Sequence, residues 1–261
     1  MTVSIFASGS SGNCLLLSEG STHLLIDAGI SVRRIQSFLL QQDLCWSDIA
    51  GVLITHEHSD HIYGLDTLAK QEKTSIYAPH TVANRLLGKF PLLETRLHVI
   101  PVGELFSIGA LRVRAFHTNH DTDECVGYRV EGENSFALAT DTGCVTEEIR
   151  QGLLGAETVM IEANHDLTML RDGPYPFVLK QRILSERGHL SNEQCAALAA
   201  ELARAGTRQF ILGHLSRENN RPALAIGTVG AALEGTDTAL CCAPQLGPLT
   251  ISLSEDVLCL T

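Results

Sequence analysis

The chain has 261 residues, of which 44% are hydrophobic and 19% charged, so it is long enough for a buried core and too apolar to stay disordered. Its formal charge of −11 excludes a broad basic surface for nucleic acid but leaves room for a local positive site. Eight cysteines without a CxxC spacing exclude a disulfide scaffold. No apolar run reaches 18 residues and the N-terminus lacks a leader pattern, so the reading is a reduced cytoplasmic protein with no membrane span.

Val3–Ala7, Cys14–Leu17 and His23–Asp27 are short apolar runs separated by Gly/Ser turns, which predicts three strands. Ser31 opens a helix over Val32–Gln41, with Ile35, Phe38 and Leu39 on one face. Ile49–Thr55 is a continuous apolar run, hence a strand buried on both faces. Helix Gly64–Gln71, strand Ser75–Ala78 and helix Thr81–Lys89 alternate after it. Five runs from Leu97 to Thr140 make a β-rich middle, followed by helix Thr146–Leu154 and strand Thr158–Ala163. Met169–Ser185 reads as helix interrupted at Gly173-Pro174-Tyr175-Pro176. Ser191 with Gln194 is a capping-box pattern for a helix that ends at Gly206. Strand Gln209–Gly213, helix Pro222–Leu233 and two further strands complete the pattern. This alternation predicts a layered α/β sandwich in a single domain over residues 1–261.

The sharpest chemical feature is Thr55-His56-Glu57-His58-Ser59-Asp60-His61, directly after a buried strand. Open α/β sheets place ligands at such strand ends. His56 and His58, two apart, share a face of an extended segment. Asp60 and His61 fall where the chain turns and can face a second centre. Imidazole nitrogen and carboxylate oxygen suit Zn²⁺ or another first-row ion. His117, His120, Asp141, His165, His189 and His214 also follow or end apolar runs. Taken singly, a strand-end Asp or His is also an ordinary turn or core residue. Cys125 reads as a small buried hydrophobe rather than a ligand.

His-x-His-x-Asp-His, then a spaced His, an Asp and a His, each closing a strand, resembles the metallo-β-lactamase superfamily. The resemblance implies a four-layer αβ/βα sandwich with two divalent metal ions, Zn or Mn. His56, His58 and the spaced His would bind one ion, Asp60, His61 and His214 the other, with Asp141 bridging. The spaced His is His120 rather than His117, because the Asp-Thr-Asp-Glu-Cys-Val-Gly-Tyr-Arg-Val that follows it looks like the nuclease branch. Ala7-Ser8-Gly9-Ser10-Ser11-Gly12-Asn13-Cys14, Glu162-Ala163-Asn164-His165-Asp166, Gly173–Pro176, Gly188–Asn192 and Gly213–Asn220 resemble the YycJ group, also called WalJ or VicX. That group implies a metal-dependent 5′ exonuclease acting on DNA rather than RNA.

Asp141 follows His120 by only 21 positions, enough for a hairpin but not for the substrate arm of ribonuclease Z. A large clamp domain is not expected either. A hydroxide between two divalent ions is a nucleophile at neutral pH. With Asp60 and Asp141 it leaves the site at about +1, so a phosphodiester is attracted locally. His189 is expected at the N-terminus of the Ser191 helix, as a phosphate contact or proton donor to the leaving oxygen. Asp60 and His165 complete the expected catalytic set. Ser10, Ser11, Asn13, Asn164, Arg217 and Asn219 are the expected substrate contacts. Lys180, Arg182 and Arg221 are weaker phosphate candidates. A small-molecule phosphodiesterase on cyclic or modified nucleotides, or an RNA-processing nuclease, would share this chemistry. An open cleft with a basic rim favours the polymer.

Overall fold

Strands that are apolar on both faces need cover on both sides, and the chain supplies it in four layers. The computed structural model describes residues 1–253; Cys259 lies outside the described residues. Six strands come first: β1 (Thr2–Ala7), β2 (Cys14–Glu19), β3 (Thr22–Ile26), β4 (Ile49–Leu53), β5 (Ile76–Ala78) and β6 (Leu97–Val99). Seven more follow: β7 (Leu105–Ile108), β8 (Leu111–His117), β9 (Val126–Glu131), β10 (Ser135–Ala139), β11 (Thr158–Glu162), β12 (Gln209–Gly213) and β13 (Ala239–Cys242). After them comes β14 (Leu249–Ser252). One sheet has the order β14-β1-β2-β3-β4-β5-β6, the other β13-β12-β11-β10-β9-β8-β7. Each is mixed: β3 to β6 are parallel in the first, and β10 to β13 in the second.

Side chains alternate across each strand, so every buried strand feeds two cores. Val3, Ile5, Leu15, Leu17, Leu24, Ile26 and Leu53 meet Val113, Tyr128, Phe136, Leu138, Met160 and Ile211 between the sheets. The intervening Leu16, Leu25, Val52 and Ile54 face outward against α1 (Val32–Leu40), α3 (Leu65–Gln71) and α4 (His80–Lys89). On the second sheet Ala137, Val159, Ile161, Phe210 and Leu212 face α5 (Glu147–Leu153), α8 (Asn192–Arg204) and α9 (Pro222–Ala232). The Tyr128 hydroxyl donates to the Ile54 carbonyl at 2.6 Å, tying the sheets together inside the core.

The helix starts follow local chemistry. Ser191 Oγ accepts from the Gln194 amide and Gln194 Oε1 from the Ser191 amide, the reciprocal cap expected for α8. Gly173–Pro176 does interrupt a helical stretch, leaving α6 (Leu167–Asp172) and α7 (Phe177–Ile183). Several strands stop earlier than the apolar runs suggest. β3 ends before Asp27, β4 before Ile54 and Thr55, β6 before Ile100, β10 before Thr140 and β11 before Ala163. A four-residue helix, α2 (Ser59–Ile62), carries Asp60 and His61. The ends of β3, β4, β10, β11 and β12 meet at one edge of the sandwich, where the polar residues gather.

Candidate metal centre

Among the described residues, four non-glycine residues have positive φ, and Asp27 (61°), Asp141 (54°) and His214 (54°) lie together at this edge. The left-handed region costs such residues about 1–3 kcal/mol unless other bonds hold them there. They do. Asp27 accepts from the Thr55 amide at 2.9 Å and from His61 Nδ1 at 2.7 Å. The His214 amide donates to Ser8 Oγ, and its Nδ1 to Glu162 Oε1 at 2.9 Å.

These bonds also set the imidazole tautomers. Nδ1 of His56 donates to Thr55 Oγ1, that of His61 to Asp27, that of His120 to the Gly188 carbonyl at 3.1 Å, and that of His214 to Glu162. Each therefore turns Nε2, the atom that would ligate a metal once deprotonated, into the cleft. There His61 Nε2 lies 3.3 Å from Asp141 and 3.5 Å from Asp60. His214 Nε2 lies 3.5 Å from Asp141 and 3.7 Å from Asp60. His120 Nε2 lies 3.8 Å from Asp141.

The ligand atoms fall into four sets within 4.8 Å of one another: His56, His58 and His120; Asp60, His61 and His214; His56, His61 and Asp141; and Asp141, Glu162, His189 and His214. His56 Nε2, His214 Nε2 and Asp141 Oδ2 are buried with no hydrogen-bond partner. Buried acceptors without donors are costly, and a divalent cation is the partner that satisfies all of them at once. The residues present therefore fit the metals that their pattern implies. His117 stands apart, half-exposed, with Nδ1 on Glu148.

The electrostatics of the cluster favour bound positive charge. Burial works against a charged His214, but Asp141, Asp60 and Glu162 outweigh it and hold its pKa at about 10. Burial opposes charge on His61 too, and Asp27 and Asp141 raise its pKa well above the ordinary value. Burial keeps His56 and His120 neutral by lowering theirs. Asp141 goes far below the carboxylate range; burial opposes this, but His214 and His61 dominate.

Two important acids were not singled out from the sequence. Glu162 is fully buried at the end of β11. Its Oε1 accepts from His189 Nδ1 at 2.7 Å and from His214 Nδ1, and its Oε2 from the Thr142 and Leu190 amides. Burial alone would raise its pKa, but His189 and His214 bring it down to about 2. The available signal was an ionisable residue closing an otherwise apolar run, Thr158–Ile161. Asp121 approaches His120 Nε2 at 3.2 Å and His58 Nε2 at 3.6 Å, and pairs with Arg182 of α7.

His189 lies over Glu162, with Asp141 3.9 Å away. It does not cap α8; that is Ser191, two residues on. Burial disfavours its charge, yet Glu162 prevails and raises its pKa. His165 is enclosed at 1% exposure, both ring nitrogens lack a partner, and burial lowers its pKa to about 4. It is a neutral interior ring, not the expected group at the cleft. The adjacent Asp166 caps α6 by accepting from the Met169 amide.

The expected substrate contacts divide in the same way. Ser10 and Asn164 line a 220 Å³ hollow together with His120, His189 and His214. Ser11 Oγ accepts from Arg217 at the rim. Asn13 is buried, its amide against His61 Nε2 and the Gly9 carbonyl, so it braces the metal side rather than the cleft. Asn219 is fully buried, its carbonyl accepting from the Asp166 amide, and is a turn residue out of a substrate's reach. Lys180 clasps the Arg171 and Gly173 carbonyls, and Arg221 the Arg217 and Asn220 carbonyls.

A family profile described as Beta-lactamase superfamily domain matches residues 22–215. The chain is 38% identical over 235 residues to Exodeoxyribonuclease YycJ of Bacillus anthracis, covering 88% of each chain. It is 39% identical over 240 residues to Exodeoxyribonuclease WalJ of Streptococcus pneumoniae, covering 90% of this chain and 88% of that one. Its fold matches the metallo-β-lactamase fold protein YhfI of Bacillus subtilis at a TM-score of 0.70 and 15% identity, over 95% of this chain and 99% of that one. Zn²⁺-bound PqqB of Methylobacterium extorquens matches at 0.72 and 18% identity, over 97% and 100%.

Proposed function

The chain belongs to the beta-lactamase superfamily, and within it we propose a binuclear metal-dependent exonuclease that acts on DNA. The observation that carries this reading is the inward turn of four Nε2 atoms, each fixed by a protein acceptor on Nδ1, around Asp60 and Asp141. His56, His58 and His120 would hold one ion, and Asp60, His61 and His214 the other, with Asp141 between them. Zn²⁺ and Mn²⁺ both suit this nitrogen and oxygen set. Bound divalent ions supply a nucleophile at neutral pH and offset charge that builds on the phosphoryl oxygens.

The protein's own residues do the rest. Glu162 accepts from His189 Nδ1 at 2.7 Å and favours the protonated ring, the form that can donate to a phosphate oxygen or protonate the leaving oxygen. Arg182 and Arg187 line the hollow beside His189, and Arg217 stands at the Ser11 rim. This basic border favours a polymer over a small nucleotide. The two relatives named exodeoxyribonucleases favour DNA over RNA.

The test is an assay with Zn²⁺ or Mn²⁺ on 5′-phosphorylated duplex DNA, single-stranded DNA, RNA and bis-p-nitrophenyl phosphate. Metal-dependent release of mononucleotides from 5′ ends of DNA is expected. Preference for RNA, or hydrolysis of the ester with no action on either DNA, overturns the reading.

A further inference from the structure

A second hollow, of about 500 Å³, is lined by Asp60 and shares Ser10 with the first. Its wall carries Ser31 and Arg34 from the start of α1, and Ser59 and Tyr63 from the two ends of α2. Val32, Ile35 and Leu39 turn the apolar face of α1 into the core, so Arg34 points to solvent. Among the described residues its guanidinium has no acidic partner. Tyr63 is 67% exposed, the most exposed aromatic side chain after Phe177. Ser31 caps nothing with its hydroxyl.

The floor of this hollow is rigid and tied to the metal ligands. The Asn13 amide donates to the Asp60 carbonyl at 2.7 Å, the Gly29 amide to the Asn13 carbonyl, and the Ala28 amide to the His61 carbonyl. A β-carbon on Gly29 would overlap the Asp60 carbonyl oxygen, so the backbones cross as closely as chains can. Whatever the hollow holds is therefore registered against Asp60.

We propose that this hollow is a nucleotide subsite, in which the Tyr63 ring stacks on a base beside the scissile phosphate and Arg34 pairs with the neighbouring phosphate. The inference rests on the nuclease reading, since a strand whose phosphate lies over the metal cluster must place nucleotides on both sides of it. The His189 hollow takes one side, and the Arg34–Tyr63 hollow takes the other. An exposed aromatic face binds any base by stacking, and an unpaired guanidinium suits a phosphate.

The experiment compares kcat/KM on a single-stranded DNA dodecamer with that on bis-p-nitrophenyl phosphate, which is too short to bridge both hollows. In Tyr63→Ala the ratio is expected to fall roughly tenfold through KM, with Tyr63→Phe restoring it because the ring face remains. In Arg34→Gln, the dependence of log KM on log salt should flatten by about 0.7, the share of one phosphate contact. Both positions are exposed, so neither variant threatens the fold. An unchanged ratio in Tyr63→Ala, with an unchanged salt slope in Arg34→Gln, overturns the subsite while leaving the nuclease reading intact. An unsubstituted protein that hydrolyses the ester but no DNA overturns the nuclease reading, and the subsite falls with it.

Discussion

Glu162 does three things with two oxygens: it orients His214, orients His189, and receives the Thr142 and Leu190 amides. His189 is thus separable from the metal ligands, although it shares an acceptor with one. His189→Ala is expected to keep its metal content and lose roughly 10²–10⁴-fold in turnover on DNA, with a smaller loss on a p-nitrophenyl ester whose leaving group needs little protonation. Metal analysis beside the two rates checks this; loss of metal would make His189 a ligand. His165 leads to a pH effect. Burial sets its folded pKa at about 4 against an ordinary 6.5, so the unfolded chain takes up the proton first as pH falls. Stability is then lost progressively between those two values, up to about 3 kcal/mol. The urea midpoint of His165→Phe should fall less than that of the parent protein between about pH 7 and pH 5.

At the scale of elements, the site depends on where strands stop. The run Ile49–Thr55 has the apolarity of one strand, yet Thr55 leaves the ladder to bond Asp27. This bond braces the start of the His56–His61 segment. Gly29 then allows the Asn13 loop and α2 to cross. Gly29→Ala forces these backbones apart and is expected to destabilise the protein by about 1–3 kcal/mol. Because Asp60 moves with that crossing, metal affinity should fall too. Chemical denaturation with a chelator competition measures both, and a loss of stability without any loss of metal affinity would uncouple the crossing from the centre.

At the scale of the whole molecule, two sheets bring their polar ends to one edge, and among the described residues His56 Nε2, His214 Nε2 and Asp141 Oδ2 there have no hydrogen-bond partner. A metal bound there would therefore stabilise the folded state alone. Chelation is expected to remove about 2.7 kcal/mol when the free metal had been at 100 times its dissociation constant. A thermal midpoint indifferent to chelator and to added Zn²⁺ or Mn²⁺ would contradict this. The chain carries −11 overall, so on the proposed reading a DNA strand would be drawn by the local field of the cleft and not by the surface as a whole.

The sequence by itself determined the alternation of strands and helices, the cap at Ser191, the break at Gly173–Pro176 and the cluster His56–His61. Each is a local pattern whose physical cause lies within a few residues: side-chain period, capping oxygen, fixed proline φ, ligand spacing. Only the tertiary structure decided that Glu162 is shared by two histidines from different elements, that His165 and Asn219 lie inside, and that Asn13 braces His61. It also brought Arg34 and Tyr63 to one hollow across 29 residues of sequence. Those facts depend on which strand ends meet at the sandwich edge, and burial and partnership there arise from contacts between distant segments that no local pattern encodes.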